Sequence, residues 1–111
     1  LTSHDGEPSP AMRIYLAAEG LSFGMASAAR YEAAMTAAGF TDVRTVNRNA
    51  WYREVARNEL DRLKGPLYKP VAAAVGADYV DKNIRTWSAM QTVLDSGEHC
   101  PTHIFGTRPS A

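Results

Sequence analysis

Apolar residues recurring every three or four positions, in runs closed by glycine, decide most of what this sequence can fold into. The clearest run is Asn49 to Lys64, where Tyr52, Val55, Ala56, Leu60 and Leu63 make one stripe. Arg53, Glu54, Arg57, Asp61 and Arg62 lie mainly outside it, the mark of an amphipathic helix. Gly65-Pro66 ends that helix, since neither residue continues one readily. Ser9-Pro10 reads as an N-cap followed by proline at the first helical position, where a missing N–H costs nothing. The helix it opens runs to about Glu19 and stops at Gly20, with Met12, Tyr15, Leu16 and Glu19 on one face. Ala28, Tyr31, Met35 and Ala38 place another helix over about Ala26 to Ala38, closed by Gly39-Phe40. A shorter one fits Leu67 to Val75 before Gly76. A long one runs from Asp78 or Asp81 to about Leu94, with Val80, Ile84, Trp87, Met90 or Gln91, and Leu94 in phase. Arg57 and Asp61 stand at i,i+4, the spacing of a surface ion pair worth roughly 0.3–0.5 kcal/mol.

Between these helices the period changes. Phe40 to Val46 alternates Val43 and Thr45 against Arg44 and Val46, a strand pattern. His99 to Thr107 reads as a second strand, with Ile104 and Phe105 apolar and Pro101 favouring an edge. Leu1-Thr2-Ser3-His4 reads as the end of a third, before the turn-like Asp5-Gly6-Glu7-Pro8. The order β-α-α-β-α-α-α-β defines an α/β chain of about three strands and four to five helices. Its 111 residues make one domain at most, long enough to bury a sizeable core. The strands would leave edges that ask for neighbours, so a homodimer or another covering partner is expected.

Composition excludes more than it identifies. With 45% hydrophobic and 22% charged residues, this is an ordinary globule and not a disordered tail. Twelve basic residues balance twelve acidic ones without any Lys/Arg run, which argues against a nucleic-acid partner. No apolar stretch approaches the roughly 20 residues that cross a bilayer, and no signal-peptide pattern is visible, so no membrane partner is expected. Cys100 is the one cysteine, so no intrachain disulfide can form, and a cytoplasmic location fits. A start at Leu1 instead of Met reads as an excised or processed piece.

The chemistry-bearing residues are few. No Gly-x-Gly-x-x-Gly, Walker loop or strand–glycine–helix unit is present, and the glycines fall at helix ends. No residue is therefore assigned to cofactor binding. His99-Cys100-Pro101-Thr102-His103 invites a metal reading, in which His99 and His103 converge on one strand face and His4 completes the set. Ordinary strand histidines are the simpler reading, and no metal ligand is assigned. Cys100 lacks a neighbouring base and reads as a buried free thiol. Trp51, Tyr52, Tyr79 and Trp87 suit either an aromatic cage for a methylated ammonium group or helix packing, the simpler reading.

Specific words in the chain resemble the C-terminal region of class I, S-adenosylmethionine-dependent methyltransferases of the phosphoethanolamine and sarcosine/dimethylglycine type. Leu1-Thr2-Ser3-His4 resembles the end of the fifth sheet strand, followed by an acidic loop and the Pro10–Glu19 helix. Tyr31-Glu32-Ala33-Ala34-Met35 and then Ala37-Ala38-Gly39-Phe40-Thr41-Asp42-Val43 resemble the helix and link into the sixth strand. Trp51-Tyr52-Arg53-Glu54 opens a helix like theirs, and Ile104-Phe105-Gly106-Thr107-Arg108-Pro109 resembles the seventh strand. The resemblance implies a partial domain over residues 1–111, the acceptor-side end of a Rossmann-like fold, lacking the cofactor-binding half and inactive alone. S-adenosylmethionine would belong to the full-length parent, and the missing half is then a further candidate partner.

Two departures narrow the acceptor. Phosphobase enzymes carry Asp-Tyr where this chain has Ser3-His4. Their Tyr-x-x-x-Arg-x-Tyr helix is matched here only by Tyr15, with Glu19 and Leu21 in the other places, and a carboxylate repels phosphate. The resemblance thus implies methyl transfer to a small molecule, an amine in preference to phosphoethanolamine. It makes His4 the candidate catalytic base or acceptor contact, at the carboxyl end of a strand. Tyr15, Glu19 and Trp51 are the candidate substrate contacts, with Glu19 facing a cationic amine. The alternative is a non-catalytic α/β module for small-molecule binding or dimerisation; a small metal-dependent enzyme using His4, His99 and His103 is remote.

Overall fold

The structure is a computed structural model that describes residues 1–20 and 24–110. Leu21, one of the positions compared with the phosphobase helix, lies outside the described residues. Among the described residues, five helices and a two-stranded antiparallel sheet make a small α/β domain: α1 Pro10–Glu19, α2 Ala28–Ala37, β1 Thr41–Asn47, α3 Asn49–Lys64, α4 Tyr68–Val75, α5 Ala77–Asp95 and β2 Thr102–Thr107.

Local signals explain the helix bounds. Ser9 caps α1 by accepting the Met12 N–H at 3.1 Å, Pro10 takes the first position, and Gly20 closes the helix in the left-handed region at φ 72°. Ser27 caps α2 by accepting the Arg30 N–H at 3.3 Å. Each capping hydroxyl is itself held by a distant carboxylate. Ser9 donates its hydroxyl and its N–H to Glu98, and Ser27 donates both groups to Asp5 at 2.8 and 3.1 Å. The caps are therefore also the ties that fix the 3–8 loop to the rest of the chain.

Two packing groups result. Helix α5 is the hub of one, touching α1, α3 and α4, and its Val80, Val93 and Leu94 are all but completely buried. Met12 and Tyr15 of α1 pack on Val93, with Leu16, Met25, Ala89 and Met90 around them. Burying a side chain of this size stabilises by about 1.5–3 kcal/mol, and this cluster is the hydrophobic centre of the helical layer. The second group is α2 laid on the sheet. Residues opposite one another in an antiparallel pair share a face, so Thr45 and Ile104 turn toward α2, where Thr45 donates to the Glu32 carboxylate at 2.9 Å. Gly106 lies on the same face, and a Cβ there would stand 2.7 Å from the Met35 terminal methyl. Arg44, Val46, His103 and Phe105 form the opposite, open face.

Three expectations need correction. The strand expected at residues 1–3 is reduced to single bridges of Thr2, parallel to Ser27 and antiparallel to His99, so two strands stand where about three were expected. The strand expected from His99 begins only at Thr102, because the preceding residues are spent on those bridges and on the Arg48 N–H bond to the Pro101 carbonyl. Arg57 pairs with Asp95 of α5 at 2.6 Å and not with Asp61, which lies exposed one turn on: the tertiary neighbour supplies the nearer carboxylate.

Candidate functional site

The Thr2 bridge, the 3–8 loop and α1 enclose a cleft of ≈ 250 Å³. His4 and Pro8 line its loop wall, Met12 and Leu16 its α1 wall, and Met25 the far side, with Thr2 at the base. Gly6 and Gly24 also border it, and a Cβ at either would meet nothing within 4 Å. The walls are tied across by the Thr2 N–H bond to the Ala26 carbonyl at 3.0 Å and by Asp5 on Ser27. Those two hydrogen bonds from Ser27, the hydroxyl one the stronger, hold the exposed Asp5 carboxyl below its ordinary value.

The His4 ring is fixed at both nitrogens. Nε2 stands 3.1 Å from the Glu7 carbonyl oxygen, which only accepts, so Nε2 carries the hydrogen in the neutral ring. Nδ1, 3.0 Å from Ser3 Oγ, is then the proton-accepting nitrogen and takes the Ser3 hydroxyl hydrogen. The ring is exposed and borders the cleft, so Nδ1 becomes available to an incoming group once Ser3 rotates. Behind it lies Glu98, whose burial works to raise its pKa; the hydroxyl and amide of Ser9 outweigh this and hold the carboxyl below its ordinary value.

Tyr15 and Glu19 sit on the same face of α1 but along a different flank. Tyr15 is 7% exposed and its ring meets His99 at 5.5 Å between centroids. Burial, then the neighbouring Glu19 carboxylate, pushes the Tyr15 phenol well above its ordinary range. Burial likewise lowers His99, whose Nδ1 lies 3.4 Å from the Leu1 carbonyl. Asn49 at the start of α3 locks this corner by donating to the carbonyls of Leu94 at 2.9 Å and His99 at 2.8 Å. Trp51 is elsewhere: it is 54% exposed on α3, with the Arg48 guanidinium 4.9 Å from its ring centre. The structure thus gives His4 a cleft, joins Tyr15 and Glu19 to His99, and leaves Trp51 on the surface.

The remaining sequence candidates separate. Trp51 and Tyr52 are neighbours at 6.1 Å, whereas Trp87 lines a groove with Leu63 and Leu67. Tyr79 stands in the first turn of α5, ~18 Å along the axis from Gln91, which contacts α3 near Tyr52 at the Arg53 carbonyl. The four aromatic rings do not converge on one cage. His103 sits edge-on to Phe105 on the open sheet face, and His99 faces Tyr15. Among the described residues, no group of three His, Cys, Asp or Glu is placed to hold a metal ion. Cys100 is buried and its Sγ donates to the Gly97 carbonyl at 3.1 Å.

Sequence reasoning missed His99 as the partner of Tyr15 and Met25 as a cleft wall. Neither carries a local signal: His99 lies between two elements, and Met25 reaches α1 only because Thr2 and Asp5 draw its segment across. Among the described residues no helix is long and apolar enough to cross a membrane. Compared with known proteins, the chain matches no family model and no curated relative.

Proposed function

We propose that this chain is the acceptor-side, C-terminal segment of an S-adenosylmethionine-dependent methyltransferase acting on a small amine. The observation that carries this reading is the His4 cleft, set where an extended segment runs into the N-terminal end of a helix. A concave site with a few polar groups among apolar walls is where a small molecule binds by default. The antiparallel contacts of β2 with β1 and of His99 with Thr2 fit the seventh-strand likeness. His4 would orient the acceptor, and its Nδ1 is the nitrogen able to receive a proton from an amine N–H.

The residues present do not fit the cofactor. Gly20, Gly39, Gly76 and Gly97 have positive φ at helix ends, and a Cβ on any of them would meet nothing within 4 Å. Nor does the chain carry a Gly-x-Gly-x-x-Gly turn between a strand and a helix, the usual cradle of a nucleotide. In this reading the adenosyl group is held by residues outside this chain, and methyl transfer needs both parts. A reducing cytoplasm suits the free Cys100.

Calorimetric titration of the 111-residue chain with S-adenosylmethionine is expected to give no binding. In parallel, NMR of the His4 ring during titration with small amines is expected to show movement of its resonances. Micromolar cofactor binding would overturn the division of labour. An unmoved His4 ring at tens of millimolar amine would remove the acceptor role. It would favour the second reading, a non-catalytic dimerisation module, which draws on the open sheet face with Val46 and Phe105 41% and 39% exposed.

A further inference from the structure

The open face of the sheet carries charge that the chain itself leaves unanswered. Arg44 lies opposite Phe105 and Val46 opposite His103, all turned away from α2. The Arg48 N–H bond to the Pro101 carbonyl at 2.7 Å carries the ladder one pair further. By the alternation of a strand, Arg48 therefore follows Arg44 and Val46 on this side. Each guanidinium is backed by a ring: Arg44 stands 4.4 Å from the centre of Phe105, and Arg48 4.9 Å from that of Trp51. Neither arginine has a carboxylate partner, since the ion pairs among the described residues are Arg13–Glu7 and Arg57–Asp95. Asp42, in the bulge before Arg44, and Glu54, one turn beyond Trp51, are the nearest acidic residues along this stretch, and both are exposed. The Arg48 Nε is buried without a hydrogen-bond partner among the described residues, a donor that the chain leaves unsatisfied.

Arginine grips a carboxylate through two parallel N–H···O bonds, and a ring behind the planar group holds it in place. Residues four apart along a strand stand ~13 Å from one another. Arg44 and Arg48 thus set two carboxylate positions at that spacing, with Val46, 41% exposed, between them. An extended peptide repeats its own side chains at the same interval. A nucleic acid fits less well, because base stacking needs bare rings and a guanidinium already lies over each ring here. The chain as a whole also has no excess of basic residues.

We infer that this face docks an extended acidic segment of a partner protein, with carboxylates four residues apart on Arg44 and Arg48 and an apolar side chain midway on Val46. A second copy of this chain would bring further arginines to the face, so self-contact here is the weaker of the two.

The test uses the acetylated, amidated peptide Gly-Glu-Thr-Leu-Thr-Glu-Gly and proton–nitrogen NMR of the chain at tens of micromolar in low salt. The indole N–H of Trp51 and the side-chain N–H groups of Arg44 and Arg48 are expected to shift. The indole of Trp87, in the groove with Leu63 and Leu67, is expected to stay still. Arg44→Gln and Arg48→Gln should each weaken binding about twofold to fivefold, the size of one exposed charged pair, with helical circular dichroism unchanged. The same peptide with both Glu replaced by Gln should bind more weakly, as should the isomer Gly-Thr-Glu-Glu-Leu-Thr-Gly. Equal binding of the Gln peptide would overturn the acidic partner, and equal binding of the isomer the spacing set by two arginines. Tighter binding of an oligouridylate at the same resonances would reassign the face to nucleic acid. Shifts at Trp87 alone, no shift with the peptide, or a chain already dimeric at this concentration would overturn the proposal.

Discussion

His99 is the residue at which solution conditions reach the packing. It meets the buried Tyr15 ring, hydrogen-bonds toward Leu1, and has the Glu19 carboxylate and the Leu1 amino group as its charged neighbours. Burial outweighs the hydrogen bond and the carboxylate, so its folded-state pKa lies below the ordinary 6.5. The unfolded chain therefore binds this proton more readily than the folded one. The stability linked to His99 is complete above about pH 6.5 and falls as pH drops through the folded-state value. Asp5 and Glu98 are depressed from ordinary values of 3.8 and 4.5, so their contributions are lost in a lower window. Urea denaturation is expected to give a midpoint that falls between about pH 7.5 and pH 5.5, and His99→Gln should flatten that slope. An unchanged slope in the variant would show that another group titrates there.

At the scale of elements, the two serine caps look alike and should behave differently. Replacing an N-cap serine by alanine costs about 1 kcal/mol, within a range of about 0.5–2. Ser27 gives its second hydrogen bond to Asp5, which is exposed and regains water when the serine is lost. Ser9 gives its hydroxyl to Glu98, which is 8% exposed and cannot. A buried acceptor left short of a partner adds about 1–3 kcal/mol. Ser9→Ala should therefore lower the urea midpoint clearly more than Ser27→Ala; equal losses would mean that Glu98 finds other partners. The contrast also marks what was legible in the sequence. Helices α1 and α3 fall at their expected bounds because their stops are local: Ser-Pro and Gly20 for one, Gly65-Pro66 for the other. The carboxylates behind the caps lie 22 and 89 residues away and leave no local trace. The same reason hid the partner of Arg57 and shortened the first strand, since a strand is made by its neighbours. Of the candidate site, the place of Tyr15 on the inner face of α1 was readable from the helix period, whereas His4, expected at the end of a strand, stands in the 3–8 loop. That the two serve different surroundings follows from Met25 and His99, which tertiary contacts alone supply.

At the scale of the whole molecule, the chain is longer than its length in residues demands. Its radius of gyration is 17.1 Å and it extends 54 Å along its greatest axis, whereas a compact domain of ~100 residues has a radius near ~13 Å. The excess comes from α2 and the β1–β2 pair, which pack on one another while α1, α3 and α4 gather on α5. A two-stranded sheet is marginal by itself. Here α2 covers one face, and the other presents Val46 and Phe105 to solvent with Arg44 lying 4.4 Å from the Phe105 ring centre. A second copy meeting this face would pair like residues about a twofold axis, Phe105 and Val46 of one chain against those of the other. The formal net charge of zero offers no long-range repulsion against such association. Sedimentation of the 111-residue chain at hundreds of micromolar is therefore expected to give a dimer mass that falls toward monomer on dilution. The paired substitution Val46→Lys with Phe105→Lys puts like charges at the centre of the contact and should give monomer throughout, with unchanged helical circular dichroism. If the unsubstituted chain stays monomeric across that range, this face is not a self-association surface, and among the described residues α2 alone covers the sheet.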